Sequence, residues 1–302
     1  MGHHSHHHDL KGKMLLSVIL NVTITVVEVV GGLLSGSLAL LGDSFHNLSD
    51  SMSILASYAA IRIKERKRNR KYTFGYGRAE ILVSFINSAF LIGVVMLLLV
   101  ESYRRFTSPK PIDTSIMLPV ALVGLIANLL SVLLLHEHAG ESMNVRSAYL
   151  HLMGDTLSSL AVFLGGILIR LYSITWVDPL VTVLISLYLL RGAYGILKES
   201  VEVLMEAAPD IDLDAVRREI EAIPNVRDAH HFHVWRVGDK EVALECHVSL
   251  PDMSLREAQK IIDEIERRLR KFGIGHVTVQ LEVDRCADRG LVYGEGRCGG
   301  QG

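Results

Sequence analysis

Cysteine is scarce: the 302 residues hold three, Cys246, Cys286 and Cys298, with no CxxC pair among them. That is too few for a disulfide framework, which excludes a cystine-stabilised secreted domain and fits a soluble part in a reducing compartment. An excess of one charge is also missing. Lys and Arg number 31 against 33 Asp and Glu, a formal net charge of −2, so no overall bias points to nucleic acid or to an acidic substrate. The chain start lacks the charged n-region, short apolar stretch and small-residue cleavage pattern of a secretory signal, so no cleaved leader is expected. Apolar residues, by contrast, are abundant: 49% of the chain, with a mean hydropathy of +0.31, a composition that points to a membrane protein.

Runs of about 20 apolar residues, the length that spans a bilayer, occur near 14–35, 38–62, 80–104, 115–135, 146–171 and 178–197. Gly36-Ser37, "TSPKPID" and Asp178-Pro179 separate them with residues that end or open helices. The break "RIKERKRNRK", residues 62–71, holds seven Lys or Arg. Between two spans such a block fixes orientation, because positive loops stay in the cytoplasm. Six spans then place both termini and the short loop between spans four and five on the cytoplasmic side as well. The start, "MGHHSHHH", reads equally as a tag or as a native metal-collecting arm.

From about residue 209 the pattern is that of a small soluble domain. "LDAVRREIEAI" and "SLREAQKIIDEIERRLRKF" have helical spacing, while "NVRDAHHFHVWRV", "EVALECHVSL" and "HVTVQLEV" read as strands. The order αββαβ predicts a hairpin plus a third strand with two helices on one face. The expected organisation is a His-rich cytoplasmic arm over 1–13, a six-helix transmembrane domain over 14–200, a cytoplasmic domain over 201–284, to which the resemblance given below assigns metal binding and dimerisation, and a flexible tail over 285–302.

Within span two, "GDSFHNLSD" carries Asp43, His46 and Asp50. His46 and Asp50 are four apart, so on a helix they share a face. Span five repeats the arrangement in "HLMGD", with His151 and Asp155 again four apart. Ionisable groups inside a span cost about 2.5–3.5 kcal/mol each on insertion scales and mark ion pathways. Two imidazoles and two carboxylates make a four-ligand shell that suits Zn²⁺. They do not supply the six or more oxygens that Ca²⁺ or Mg²⁺ takes, while Co²⁺ and Cd²⁺ stay open. Asn47, Ser49, Ser51 and Thr156 are candidates to orient those ligands, or else to bond their own helix backbone.

Together, "GDSFHNLSD", "HLMGD", "FGYGRAE" (74–80), Asp178-Pro179, "LMEAAP" (204–209) and "AHHFHVW" (229–235) resemble the cation diffusion facilitators, in particular their zinc-transporting branch. The resemblance runs from about residue 14 to 284. It implies a homodimer of six-helix subunits in the cytoplasmic membrane, with cytoplasmic ferredoxin-like αββαβ domains, exporting Zn²⁺ and in some cases Cd²⁺ or Co²⁺, commonly in exchange for protons. It carries the transport ligands onto His46, Asp50, His151 and Asp155. Where many relatives have Asp, this chain has His46, which places it with the more zinc-selective members. The cytoplasmic metal ligands correspond to His230, His247 and Glu282, with His231, His233 and Cys286 as accessory candidates and Zn²⁺ as the regulatory ligand. Asp43 stands outside the shell, as a guide for the ion or proton.

Some relatives bind a second metal through a His where this chain has Tyr76, a poor ligand near neutral pH because the phenol titrates near 10; no loop site is expected. Alternation points Cys246 away from His247 and into the core. Asn21, Glu28 and Asn128 read as interhelical hydrogen bonders, with an aqueous vestibule the other option for Glu28. His136 and His138 are candidates for weak metal capture, and Arg78 and Glu80 for charge contacts at the membrane mouth. No enzymatic activity is expected. A membrane metalloprotease would need HExxH, and "HEHAG" lacks the second His at that spacing. A metal-sensing receptor without transport is the other alternative. The expected partners are a second copy of the chain, the bilayer, Zn²⁺ and protons, and no nucleic acid.

Overall fold

Each apolar run becomes a helix where the breakers allow. In the computed structural model, which describes residues 22–64, 68–136, 143–238, 241–283 and 290–292, α1 covers Val22–Ser35. Then follow α2 (Leu38–Lys64), α3 (Arg78–Thr107), α4 (Thr114–His136), α5 (Met143–Tyr172) and α6 (Val177–Leu204). The chain divides into two compact units, Met1–Ser57 with Ser84–Leu197, and Tyr58–Val83 with Lys198–Gly302.

In the first unit, α3, α4, the Tyr149–Tyr172 stretch of α5 and α6 are long and apolar enough to cross a membrane. α2 has the length, at 27 residues, but carries Asp43, His46 and Asp50. Large apolar side chains point outward from these helices: Leu97 is 72% exposed and Leu134 79%. In water such a surface would drive association, whereas in lipid it is solvated.

The join between α1 and α2 is built around a buried carboxylate. Gly36 takes φ +72°, a conformation open to glycine without steric cost. Asp178, at the start of α6, accepts hydrogen bonds from Ser37 Oγ at 2.5 Å and from the backbone N–H groups of Leu38 at 2.8 Å and Ala39 at 3.3 Å. It thereby satisfies donors that the first turn of α2 leaves open. Arg105 of α3 approaches it to 3.7 Å and donates to the Gly36 carbonyl.

The second unit holds α7 (Leu213–Glu221), β1 (Asp228–Arg236), β2 (Val242–Ser249), α8 (Leu255–Leu269) and β3 (Ile274–Glu282). Asp212 caps α7, and Ser254 with Glu257 forms a capping box on α8. β2 is the central strand, antiparallel to β1 and parallel to β3; α8 makes the crossover that a parallel pair needs. Val216, Ile220, Phe232, Val234, Leu244, Cys246, Ile261 and Ile265 lie together in its core. Burial pushes the Cys246 thiol up to about 12.

β1 departs from simple alternation. The register with β2 slips between His230 and His233, and His231 takes φ +56°, a β-bulge. Ala229, Phe232 and Val234 can therefore all enter the core, while His230 and His233 take the opposite face. Gly290 and Leu291 accept hydrogen bonds from the N–H groups of His231 and Phe232, at 3.2 and 2.9 Å. That part of the segment expected to be loose runs along β1.

Candidate metal centres

α2 and α5 bring His46, Asp50, His151 and Asp155 together. One ligand atom from each lies within 4.8 Å of the others. His46 Nε2 is 2.8 Å from Asp155 Oδ1 and 3.6 Å from Asp50 Oδ2. His151 Nε2 is 3.1 Å from Asp50 Oδ2 and 3.7 Å from Asp155 Oδ2. Ligands about 2.0–2.1 Å from a tetrahedral Zn²⁺ are about 3.3 Å from one another, and the four separations bracket that value. The pairs cross, each imidazole facing the carboxylate of the other helix, so neither helix makes the shell alone. His46 and Asp155 are buried, at 6% and 5% exposure, whereas the His151 side chain is half exposed. The cluster thus has a closed side and an accessible one.

The neighbouring polar groups have other partners. Asp43 accepts hydrogen bonds from Ser158 and Ser159 of α5, at 2.6 and 2.7 Å, and Asn128 of α4 donates to Ser159 at 2.9 Å. Asn47 donates to Glu28 of α1 at 2.9 Å. Ser49 accepts from Asn87 of α3 at 2.9 Å, and Thr156 bonds back to the Leu152 carbonyl of its own helix. Asn47 and Ser49 therefore tie α2 to its neighbours and Thr156 bonds its own helix backbone, and none of these bonds reaches a candidate ligand. Asn128 is the interhelical bonder expected of it. Glu28 is buried, not open to a vestibule.

In the second unit His230, His247 and Glu282 also present ligand atoms within 4.8 Å of one another. The register sets His230 directly opposite His247. Glu282 closes the group, with its carboxylate 3.6 Å from His230 Nε2 and 3.0 Å from His247 Nδ1. His230 is 1% exposed and Glu282 5%. Among the described residues His230 Nε2, His247 Nδ1 and Glu282 Oε2 are buried without a hydrogen-bond partner, as expected of atoms that converge on a cation. Asp228, not singled out in the sequence, puts a carboxylate oxygen 2.8 Å from His230 Nδ1 in ion-pair rather than hydrogen-bond alignment, and Arg217 holds it from the other side at 2.8 Å. Two residues apart on a strand, Asp228 and His230 share a face, and that spacing was the available signal. His231 stacks on His247 with ring centroids 4.4 Å apart and meets His233 at 3.0 Å between Nε2 atoms. Desolvation and the neighbouring imidazoles hold its ring below the usual histidine range.

Tyr76 is tied by its hydroxyl to Asn69 Nδ2 at 3.1 Å. Arg78 pairs with Glu206 at 2.8 Å, and His136 meets the Tyr149 hydroxyl at 3.2 Å. Cys246 is fully buried, as alternation requires. Asn21, His138, Cys286 and the His-rich start lie outside the described residues.

Residues 14–205 match the family described as "Cation efflux transmembrane domain", and residues 208–284 the one described as "Cation efflux protein, cytoplasmic domain". The chain is 36% identical over 288 residues to the cadmium, cobalt and zinc/H(+)-K(+) antiporter of Bacillus subtilis, covering 94% of this chain and 93% of that protein. It is 37% identical over 296 residues to the zinc transporter ZitB of Escherichia coli, covering 94% and 93%. With the metal cation efflux system protein CzcD of Cupriavidus metallidurans identity is 39% over 287 residues, covering 94% and 90%.

Proposed function

The chain belongs to the cation efflux family, the cation diffusion facilitators, and from that premise we propose that it exports Zn²⁺ across the cell membrane in exchange for protons. Cd²⁺ and Co²⁺, named for the Bacillus relative, are further substrates in this reading. The protein is multi-pass, with α1 to α6 as six spans, both termini cytoplasmic, the transmembrane domain over 14–200 and a ferredoxin-like domain over 201–284. It works as a homodimer.

His46, Asp50, His151 and Asp155 are the proposed transport ligands. The observation that carries the reading is the convergence of these four groups, from two helices, within 4.8 Å. Zn²⁺ requires neutral imidazoles and ionised carboxylates, so protons compete with it for the same atoms. With the shell exposed alternately to each side, protons entering from outside displace Zn²⁺ there and reset the carrier. His230, His247 and Glu282, oriented by Asp228, are proposed to hold a regulatory Zn²⁺ in the soluble domain. Their converging buried atoms support that role.

Zn²⁺ uptake into proteoliposomes is the test. His151→Ala combined with Asp155→Ala should abolish uptake, and retained uptake would sink the ligand assignment. Absence of an internal pH change during Zn²⁺ flux would rule out proton exchange. A metal-sensing receptor would bind Zn²⁺ without any flux, so the same assay separates the two classes.

A further inference from the structure

Glu28 lies near the middle of α1, 1% exposed, and plays no part in the proposed ligand shell. Its Oε2 accepts one hydrogen bond, from Asn47 at 2.9 Å. Its Oε1 is buried without a partner among the described residues. Oε1 rests against α4 at Gly124, where any Cβ would overlap it, so the glycine makes the space that the carboxyl occupies. Among the described residues no cation is set against it; the charged group acting on it is Asp43, itself acidic and buried. A carboxylate in this position would hold a full charge in a low-dielectric span with one neutral donor and an acidic group nearby, an unfavourable arrangement. The neutral acid avoids that cost. Asn47, which holds Glu28, directly follows His46 and lies one turn beyond Asp43 on α2. A single hydrogen bond therefore joins this carboxyl to α2 beside a candidate ligand.

We propose that Glu28 is a proton-carrying group of the exchange cycle, holding a proton on Oε1 in the conformation seen here. When α1 and α2 rearrange so that water reaches Oε1, the proton passes to water on one side of the membrane. A proton from the other side replaces it later in the cycle. No bond other than O–H forms or breaks. The inference rests on the Zn²⁺/proton exchange reading and names a carrier of the proton distinct from the metal ligands.

The experiment uses the full chain in proteoliposomes with Zn²⁺ as the probe, together with infrared spectra of protein carrying ¹³C-labelled glutamate carboxyls. At neutral pH the parent should show a labelled protonated-carboxyl band that is absent from Glu28→Gln. Glu28→Gln should still pass Zn²⁺ down its own gradient while losing accumulation driven by an imposed pH difference, by about tenfold for each pH unit per proton no longer carried. Gly124→Ala, which crowds Oε1 and removes no titratable group, should shift the same band, and it serves as the probe if Glu28→Gln does not assemble. A parent lacking the band, a band unmoved in Gly124→Ala, or a Glu28→Gln protein that accumulates Zn²⁺ like the parent overturns the assignment. So does a Glu28→Gln protein that loses downhill flux, since Glu28 would then belong to the metal path. A parent that moves no Zn²⁺ at all would sink the exchange reading instead.

Discussion

Asp43 and His46 are neighbours on one helix with separate partners: Asp43 is held by two serines of α5, and His46 faces Asp155. The i,i+4 repeat of His and Asp in two apolar runs made the proposed ligands legible without coordinates. Whether Asp43 would join them depended on where α5 set Ser158 and Ser159, which spacing along α2 cannot tell. If His46 is the selectivity element, His46→Asp should weaken discrimination against Cd²⁺ in a Zn²⁺, Cd²⁺, Co²⁺ and Mn²⁺ flux series; unchanged discrimination counts against that role. Cys246 gives a second check at this scale. The thiolate is the reactive form, and a thiol pushed up to about 12 stays neutral and shielded through pH 8. Thiol labelling at Cys246 should therefore be absent in the folded protein and appear on denaturation, as peptide mass spectrometry would record.

Helices were the most legible elements, because apolar length and Gly, Pro and Asp breakers act locally. The clasp that sets α2 in place was not legible. "DP" marked the start of α6, but the carboxylate of Asp178 caps a helix that begins 140 residues earlier, beside Arg105 of α3. Asp178→Asn keeps the shape and removes the charge facing Arg105. Breaking one partner of a buried pair costs about 3–5 kcal/mol, so thermal unfolding in detergent should show a Tm lowered by several degrees. An unchanged Tm would mean that Asp178 is held by its neutral hydrogen bonds alone. In the sheet, the bulge at His231 is not legible in "AHHFHVW", where strict alternation would send Ala229 and Phe232 to opposite faces. It is decided by the core, which takes Ala229 and Phe232, three residues apart, on the same side.

Among the described residues, the two proposed ligand clusters predict two Zn²⁺ sites per chain. His230→Ala with His247→Ala should lower bound Zn²⁺ by one per subunit in equilibrium dialysis and leave the intramembrane site filled; loss of both ions would mean that the sites are not independent. Since protons compete with Zn²⁺ for the same ligand atoms, Zn²⁺ affinity at the remaining site should fall as pH drops. The sequence by itself determined the family, through the motifs that resemble it, and the helical runs, the αββαβ order and the paired His and Asp positions, through periodicity, length and local chemistry. Only the tertiary structure decided that the imidazole–carboxylate pairs cross between α2 and α5, that Asp228 backs His230, and that Glu28 fills the space left by Gly124. Each depends on which helix or strand lies beside which, and that is fixed by packing between residues far apart in the chain.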